Sequence, residues 1–142
     1  MAKANDISFD FSYDSIDDKK VIYFITEIRK GFTFSTFQNF AKHTPFTLVE
    51  WSKFLNMSQR TMQRHRKVKK RFNPAFSERI LQIAMLYNLG IEVFANRDKF
   101  NAWLESKNLA LGNIKPKELL DNSFGIGLVK DELGRIEHGI LA

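Results

Sequence analysis

The stretch TLVEWSKFLNMSQRTMQRHRKVKKR, Thr47 to Arg71, decides the fold. Thr47 with Glu50 three residues on forms a capping box, so Leu48 to Leu55 read as a short helix. Ser58 caps a second helix that begins at Gln59, and only Asn56-Met57-Ser58 separate the two. A helix-turn-helix needs a turn residue that tolerates left-handed backbone, a small residue where the helices cross, and apolar residues at fixed offsets. Asn56 suits the turn and Ser52 the crossing; Trp51, Leu55, Met57 and Met62 fall at the inward positions. Two departures are Asn56 where glycine is usual, and His65 where an apolar side chain is expected.

With Met62 inward, the opposite face of the second helix presents Gln59, Arg60, Gln63, Arg64 and Lys67, with Ser58 at its start. Arg pairs bidentately with guanine and Gln with adenine in the major groove, so this face reads as a DNA-recognition surface. Lys69, Lys70 and Arg71 follow at once and suit phosphates, which position a protein without reading sequence. Thr47 and the start of its helix offer a further backbone contact. Trp51 to Ser77 hold eight Lys or Arg and no acid; with a net charge of +6, the remaining chain sums to 6 − 8 = −2. A helical hairpin with a solvated basic surface would explain the spacing, but not the missing acids.

Outward from this motif the chain is helical. Ser15 with Asp18 predicts a cap for a first helix striped by Val21, Phe24, Ile25 and Ile28 and ended by Gly31. Ser35 predicts the cap of a second helix carrying Phe37, Phe40 and Ala41, closed near Pro45; both helices read as core scaffolding. Beyond Asn73-Pro74, residues 77–95 predict a long helix with Ile80, Ile83, Ala84, Tyr87, Ile91 and Phe94 on one stripe, and Gly90 off it. Asp98 predicts another cap, before Phe100, Trp103 and Leu104; Leu109 to Asn113 read as a turn, and Pro116 opens a short helix. Ser123 predicts the cap of a last helix bearing Leu128, Val129, Leu133 and Ile136 and ended by Gly139. Trp103, Leu109 and Leu111 read as core, with an interface role as the alternative, and Gly125, Gly127 and Gly134 weaken the last helix unless a close backbone approach offsets the loss. Residues 1–14 alternate Ile7, Phe9, Phe11 and Tyr13 against polar neighbours, the period of a short strand, or form a disordered arm. The division is therefore an arm over 1–14, a helix-turn-helix domain over 15–75 and a second helical domain over 76–142, in an all-α fold.

Composition excludes several classes. Of the 142 residues 44% are hydrophobic and 14 are Phe, enough for a packed core. No cysteine is present, so disulfides, thiolate metal sites and Cys nucleophiles are ruled out, and a cytoplasmic setting is expected. No apolar run reaches the roughly 18–20 residues of a membrane span, so no membrane partner is expected. His43, His65 and His138 are scattered without metal-ligand or triad spacing, and Gly125-Ile126-Gly127 is too short for a dinucleotide fingerprint. No catalytic residue, metal or cofactor is expected, and the protein reads as a non-enzyme.

Trp103-Leu104, Asn108-Leu109-Ala110-Leu111-Gly112, Lys115-Pro116, Glu118-Leu119-Leu120, Gly125, Val129 and Leu133-Gly134-Arg135-Ile136-Glu137-His138-Gly139 together resemble the toxin-binding domain of Xre/MbcA/ParS antitoxins. The resemblance spans roughly residues 76–142, with an Xre-like helix-turn-helix upstream; Asn113 departs from it where a second glycine is common. It implies an all-α antitoxin that neutralises a RES-domain toxin, an NAD-consuming protein, by obstructing its active site. It also implies a homodimer that binds double-stranded operator DNA and represses its own operon. The candidate toxin-facing residues are Lys115, Arg135, Glu137, His138 and Ile140. The competing expectation is a stand-alone helix-turn-helix regulator without a toxin.

Overall fold

The computed structural model describes residue 13 and residues 16–139. The strand or arm expected over 1–14 falls, Tyr13 apart, outside the described residues, as do Ser15 and Ile140. Among the described residues the fold is all-α: α1 (Asp18–Lys30), α2 (Phe34–Ala41), α3 (Leu48–Phe54), α4 (Gln59–Val68), α5 (Pro74–Phe94), α6 (Arg97–Leu104) and α7 (Ser123–Glu137), with 3-10 turns at Leu109–Leu111 and Pro116–Leu119.

Several helices start where a different capping residue wins. Thr47 and Ser58 cap α3 and α4 as expected, and both hydrogen bonds of the Thr47–Glu50 capping box form. The other caps are Asp17 for α1, Thr33 for α2, Asn96 for α6 and Asn122 for α7, in place of Ser15, Ser35, Asp98 and Ser123. Each displaced cap has a competent neighbour within two residues. The winner is the one whose extended backbone lets its side chain accept from the amide three residues on.

The long helix α5 is buried on more than its expected stripe, since Leu81, Leu86, Leu89 and Gly90 join Ile80, Ile83, Ala84 and Tyr87 inside. The reason is its position: α1, α6 and α7 all pack on it, α7 most extensively. Gly90 is a packing site rather than a tolerated weakness, because a Cβ there would lie 2.0 Å from Phe100 Cζ. One continuous apolar cluster runs from Phe24 to Leu133, so the two halves share a core. At its centre Trp51 is fully buried, with the rings of Phe37, Phe40, Phe46 and Phe54 packed edge-on around it.

Two expectations of burial fail. In α1 only Phe24 is buried, while Val21 and Ile25 border an open apolar groove of about 610 Å³ with Leu81 and Met85 of α5. A helix that packs on a single neighbour hides only the residues at the line of contact. Leu109, read as core, is exposed, whereas Leu111 two residues on is buried. The 3-10 turn turns one leucine inward and the other out. Asn113, the departure from the family turn, takes φ 61° beside Gly112 at φ 86°. Asn is among the few side chains that accept this region, so the turn survives without a second glycine.

Candidate functional site

The turn between α3 and α4 is built as the sequence requires. Asn56 adopts φ 56°, and the Met57 amide donates to the Ser52 carbonyl at 3.0 Å. Ser52 is buried at the crossing, its hydroxyl donating to the Leu48 carbonyl at 2.9 Å. Trp51, Leu55 and Met62 are buried and Met57 half-buried. His65 behaves as a core residue: its ring stacks on Phe72 with centroids 4.7 Å apart, and Nδ1 lies 3.0 Å from the Thr61 carbonyl oxygen. A planar ring with one satisfied nitrogen fills the position usually held by an aliphatic group.

With Met62 and His65 inward, the helical period of about 3.6 residues turns Gln59, Arg60, Gln63, Arg64 and Lys67 to the other side. All five are exposed. The hydroxyl of Ser58 caps α4, accepting from the Thr61 amide at 3.0 Å, and Gln63 Oε1 accepts from Arg66, another exposed cation of the helix. Lys69, in left-handed backbone at φ 55°, and Lys70 are exposed beyond the helix end.

Arg71 differs from its neighbours, since its guanidinium donates to the Gly31 carbonyl at 2.8 Å. It pins the basic segment to the α1–α2 loop, where Gly31 sits at φ 87° and a Cβ would meet the Phe72 carbonyl oxygen at 2.2 Å. The start of α3 also differs from expectation. The Thr47 amide donates to Glu50 at 3.0 Å, so a carboxylate already stands where a phosphate was expected.

That carboxylate ties the two halves together. Lys117, in the second 3-10 turn, donates to Glu50 of α3 and to Glu105 beyond α6, each at 2.6 Å, and Lys115 lies 3.6 Å from Glu105. Partial burial pushes the Glu50 carboxyl up, but hydrogen bonds from Lys117 and Thr47 together hold it below its ordinary value. Hydrogen bonds to Glu105 and Glu50 hold the Lys117 ammonium above its own. Asn56, the turn residue itself, donates through Nδ2 to the Asp121 carbonyl at 3.0 Å.

In the C-terminal half the candidate residues do not form one cluster. Lys115 lies in the ion-pair group near α3, while Arg135 pairs with Glu132 at 2.9 Å on α7. The helical period places Arg135 and His138 on the outward face of α7, with Phe124, Gly127, Leu128 and Asp131. Glu137 points off that face, on the other side of the helix. Phe124 and Leu128, neither of them among the candidate residues named from the sequence, are both exposed on that face. A signal was available: Phe124 stands opposite the stripe of Ile126, Val129 and Leu133 on the helical wheel.

Residues 24–85 match the model of the antitoxin Xre-like helix-turn-helix domain, and residues 89–139 that of the antitoxin Xre/MbcA/ParS C-terminal toxin-binding domain. The chain belongs to the Xre/MbcA/ParS antitoxin family. It is similar to the antitoxin Xre of Yersinia enterocolitica, 25% identical over 119 residues covering 83% of this chain and 80% of that one. It is also similar to the antitoxin Xre of Photorhabdus laumondii, 28% identical over 111 residues covering 69% of this chain and 75% of that one. In this Xre-family chain both matched segments meet inside α5, which runs through residues 85 and 89 without a break. The Xre-like half and the toxin-binding half are thus joined by a helix they share, by the Lys117 ion pairs and by the Asn56–Asp121 hydrogen bond.

Proposed function

We propose that this protein is a non-enzymatic antitoxin that binds and neutralises a RES-domain, NAD-consuming toxin through its C-terminal half. As a two-fold dimer it reads operator DNA with α4 and represses its own operon. The observation that carries the DNA reading is the division of α4 into two faces. Met62 and His65 lock one face into the core, and the other consists of Gln59, Arg60, Gln63, Arg64 and Lys67 with no acid among them. Gln and Arg side chains on a rigid helix are the donors that base edges of the major groove require. Lys69 and Lys70 supply phosphate contacts; Arg71 contributes less, being held by Gly31. A dimer suits paired half-sites about one helical turn apart. The toxin-binding half favours an antitoxin over a regulator acting alone.

Two measurements test this. If about five phosphates are neutralised, log affinity for operator DNA falls against log salt with a slope of about −4 to −5; binding indifferent to salt would refute the electrostatic part. Co-expression with the protein from the adjoining reading frame restores growth and co-purifies the pair, and failure of both would refute neutralisation.

A further inference from the structure

We infer that the toxin docks on the outward face of α7, with Phe124 as its anchor and Leu128, one turn on, beside it. The inference rests on the antitoxin reading above and names the surface that reading leaves open. Phe124 is 90% exposed and Leu109 87%, while Leu128, one turn after Phe124 on the same face, is half exposed. The 3-10 turn that carries Leu109 packs directly against α7. Single exposed apolar residues are ordinary, but a large aromatic and a leucine one turn apart on one helix face, with a third apolar side chain bare on a turn that packs against the same helix, are what marks a protein contact.

The glycines of α7 supply an independent argument. Gly125 is explained by the fold, because a Cβ there would meet the Leu119 carbonyl oxygen at 2.0 Å. Gly127 and Gly134 are not, since a Cβ at either meets nothing within 4 Å. A glycine inside a helix is destabilising relative to alanine, and no intramolecular contact offsets that here. Close approach of another backbone does. Gly127 lies on the outward face between Phe124 and Asp131, where it leaves bare helix beside the aromatic ring.

The occupant is a toxin rather than a second copy of this chain because the whole patch lies within residues 89–139, the segment matched as toxin-binding. The exposed apolar residues of α1 lie outside that segment. The complementary surface is an apolar pocket that admits a phenyl ring, edged by polar groups that meet Arg135 and His138 at the far end of the same face. Ring-in-pocket contacts of this kind dominate protein interfaces.

The full chain and its Phe124→Ser, Leu109→Ser, Gly127→Ala and Gly127→Gln variants are tested for binding to the protein encoded by the adjoining reading frame. Phe124→Ser is expected to keep the wild-type Tm and operator binding while weakening toxin binding about 30-fold, the scale of an interface hot spot. Leu109→Ser follows it with a smaller loss. Gly127→Ala raises the Tm by roughly 3–5 °C, and Gly127→Gln weakens toxin binding without lowering the Tm. Wild-type toxin affinity in both Phe124→Ser and Gly127→Gln overturns the docking face and leaves the antitoxin reading intact. Loss of dimer in Phe124→Ser with toxin binding unchanged also overturns it, assigning the face to a second copy. A wild-type chain that binds no toxin overturns both readings together.

Discussion

Helices α4 and α7 are anchored alike and face outward differently. Each buries one stripe in the same apolar cluster, Met62 and His65 for α4, Ile126, Val129 and Leu133 for α7. Outward, α4 carries only Gln, Arg and Lys among its reading positions, whereas α7 carries Phe124, Leu128, the unpacked Gly127 and charges of both signs. The inward stripe makes a helix part of this fold, and the outward one sets the chemistry of the partner. A polyanion is met by dense positive charge and donors; a protein surface is met by apolar area and room for close approach.

If the two faces depend on one core, the largest effect comes from its centre. Trp51→Ala is expected to cost about 3–5 kcal/mol and to abolish operator and toxin binding together, read by thermal unfolding and both binding assays. Survival of either activity at full strength would show that the halves fold independently.

The next effect separates the faces. Arg60→Ala and Arg64→Ala each are expected to lower operator affinity by about 1–3 kcal/mol, with toxin binding and Tm unchanged. A loss of toxin binding in either variant would mean that α4 belongs to both interfaces.

A smaller effect probes the joint. Gly90→Ala drives a methyl into the Phe100 ring, and the overpacking exceeds the gain in helix propensity, leaving a net loss of about 1–2 kcal/mol. Unfolding followed by circular dichroism should remain a single transition at lower Tm, and Phe100→Leu in the same chain should recover part of the loss.

The smallest effect concerns the Lys117 ion pairs. Lys117→Met should cost about 1 kcal/mol, because Glu105, the second partner, is 53% exposed and Glu50 keeps its hydrogen bonds from Thr47 when the ammonium is gone. Glu50 is held below its ordinary 4.5, so its contribution is present above that pH and disappears as pH falls through the lowered value. Lys117 is held above its ordinary 10.5, so its contribution is present below that pH and disappears as pH rises through the raised value. The stability gap between wild type and variant, followed by urea unfolding across pH, should therefore be widest near neutrality and close at both extremes.

Much of the fold and part of the site were legible in the residues. The α3–α4 turn was readable because Asn56, Ser52 and the Thr47–Glu50 box act over three or four residues, where local chemistry has one good solution. The displaced caps were less so, since serine, threonine, aspartate and asparagine crowd each boundary and any of them serves. Leu109 and the α1 stripe misled for another reason: an apolar residue at helical spacing states a preference for burial, not the existence of something to be buried against. The bond from Arg71 to the Gly31 carbonyl was not legible, because the charge of Arg71 is visible in the chain and a carbonyl forty residues away is not.

The sequence by itself determined the helices, the turn between α3 and α4, the concentration of positive charge and the family, because each depends on near neighbours or on residue order. Only the tertiary structure decided that Gly90 is a seat for Phe100 and that Lys117 joins the two halves. It alone also showed that Leu109 stands in solvent and that Gly127 has nothing to pack against. These are facts about which distant surfaces meet, and a side chain's burial is settled by what the rest of the chain brings to it.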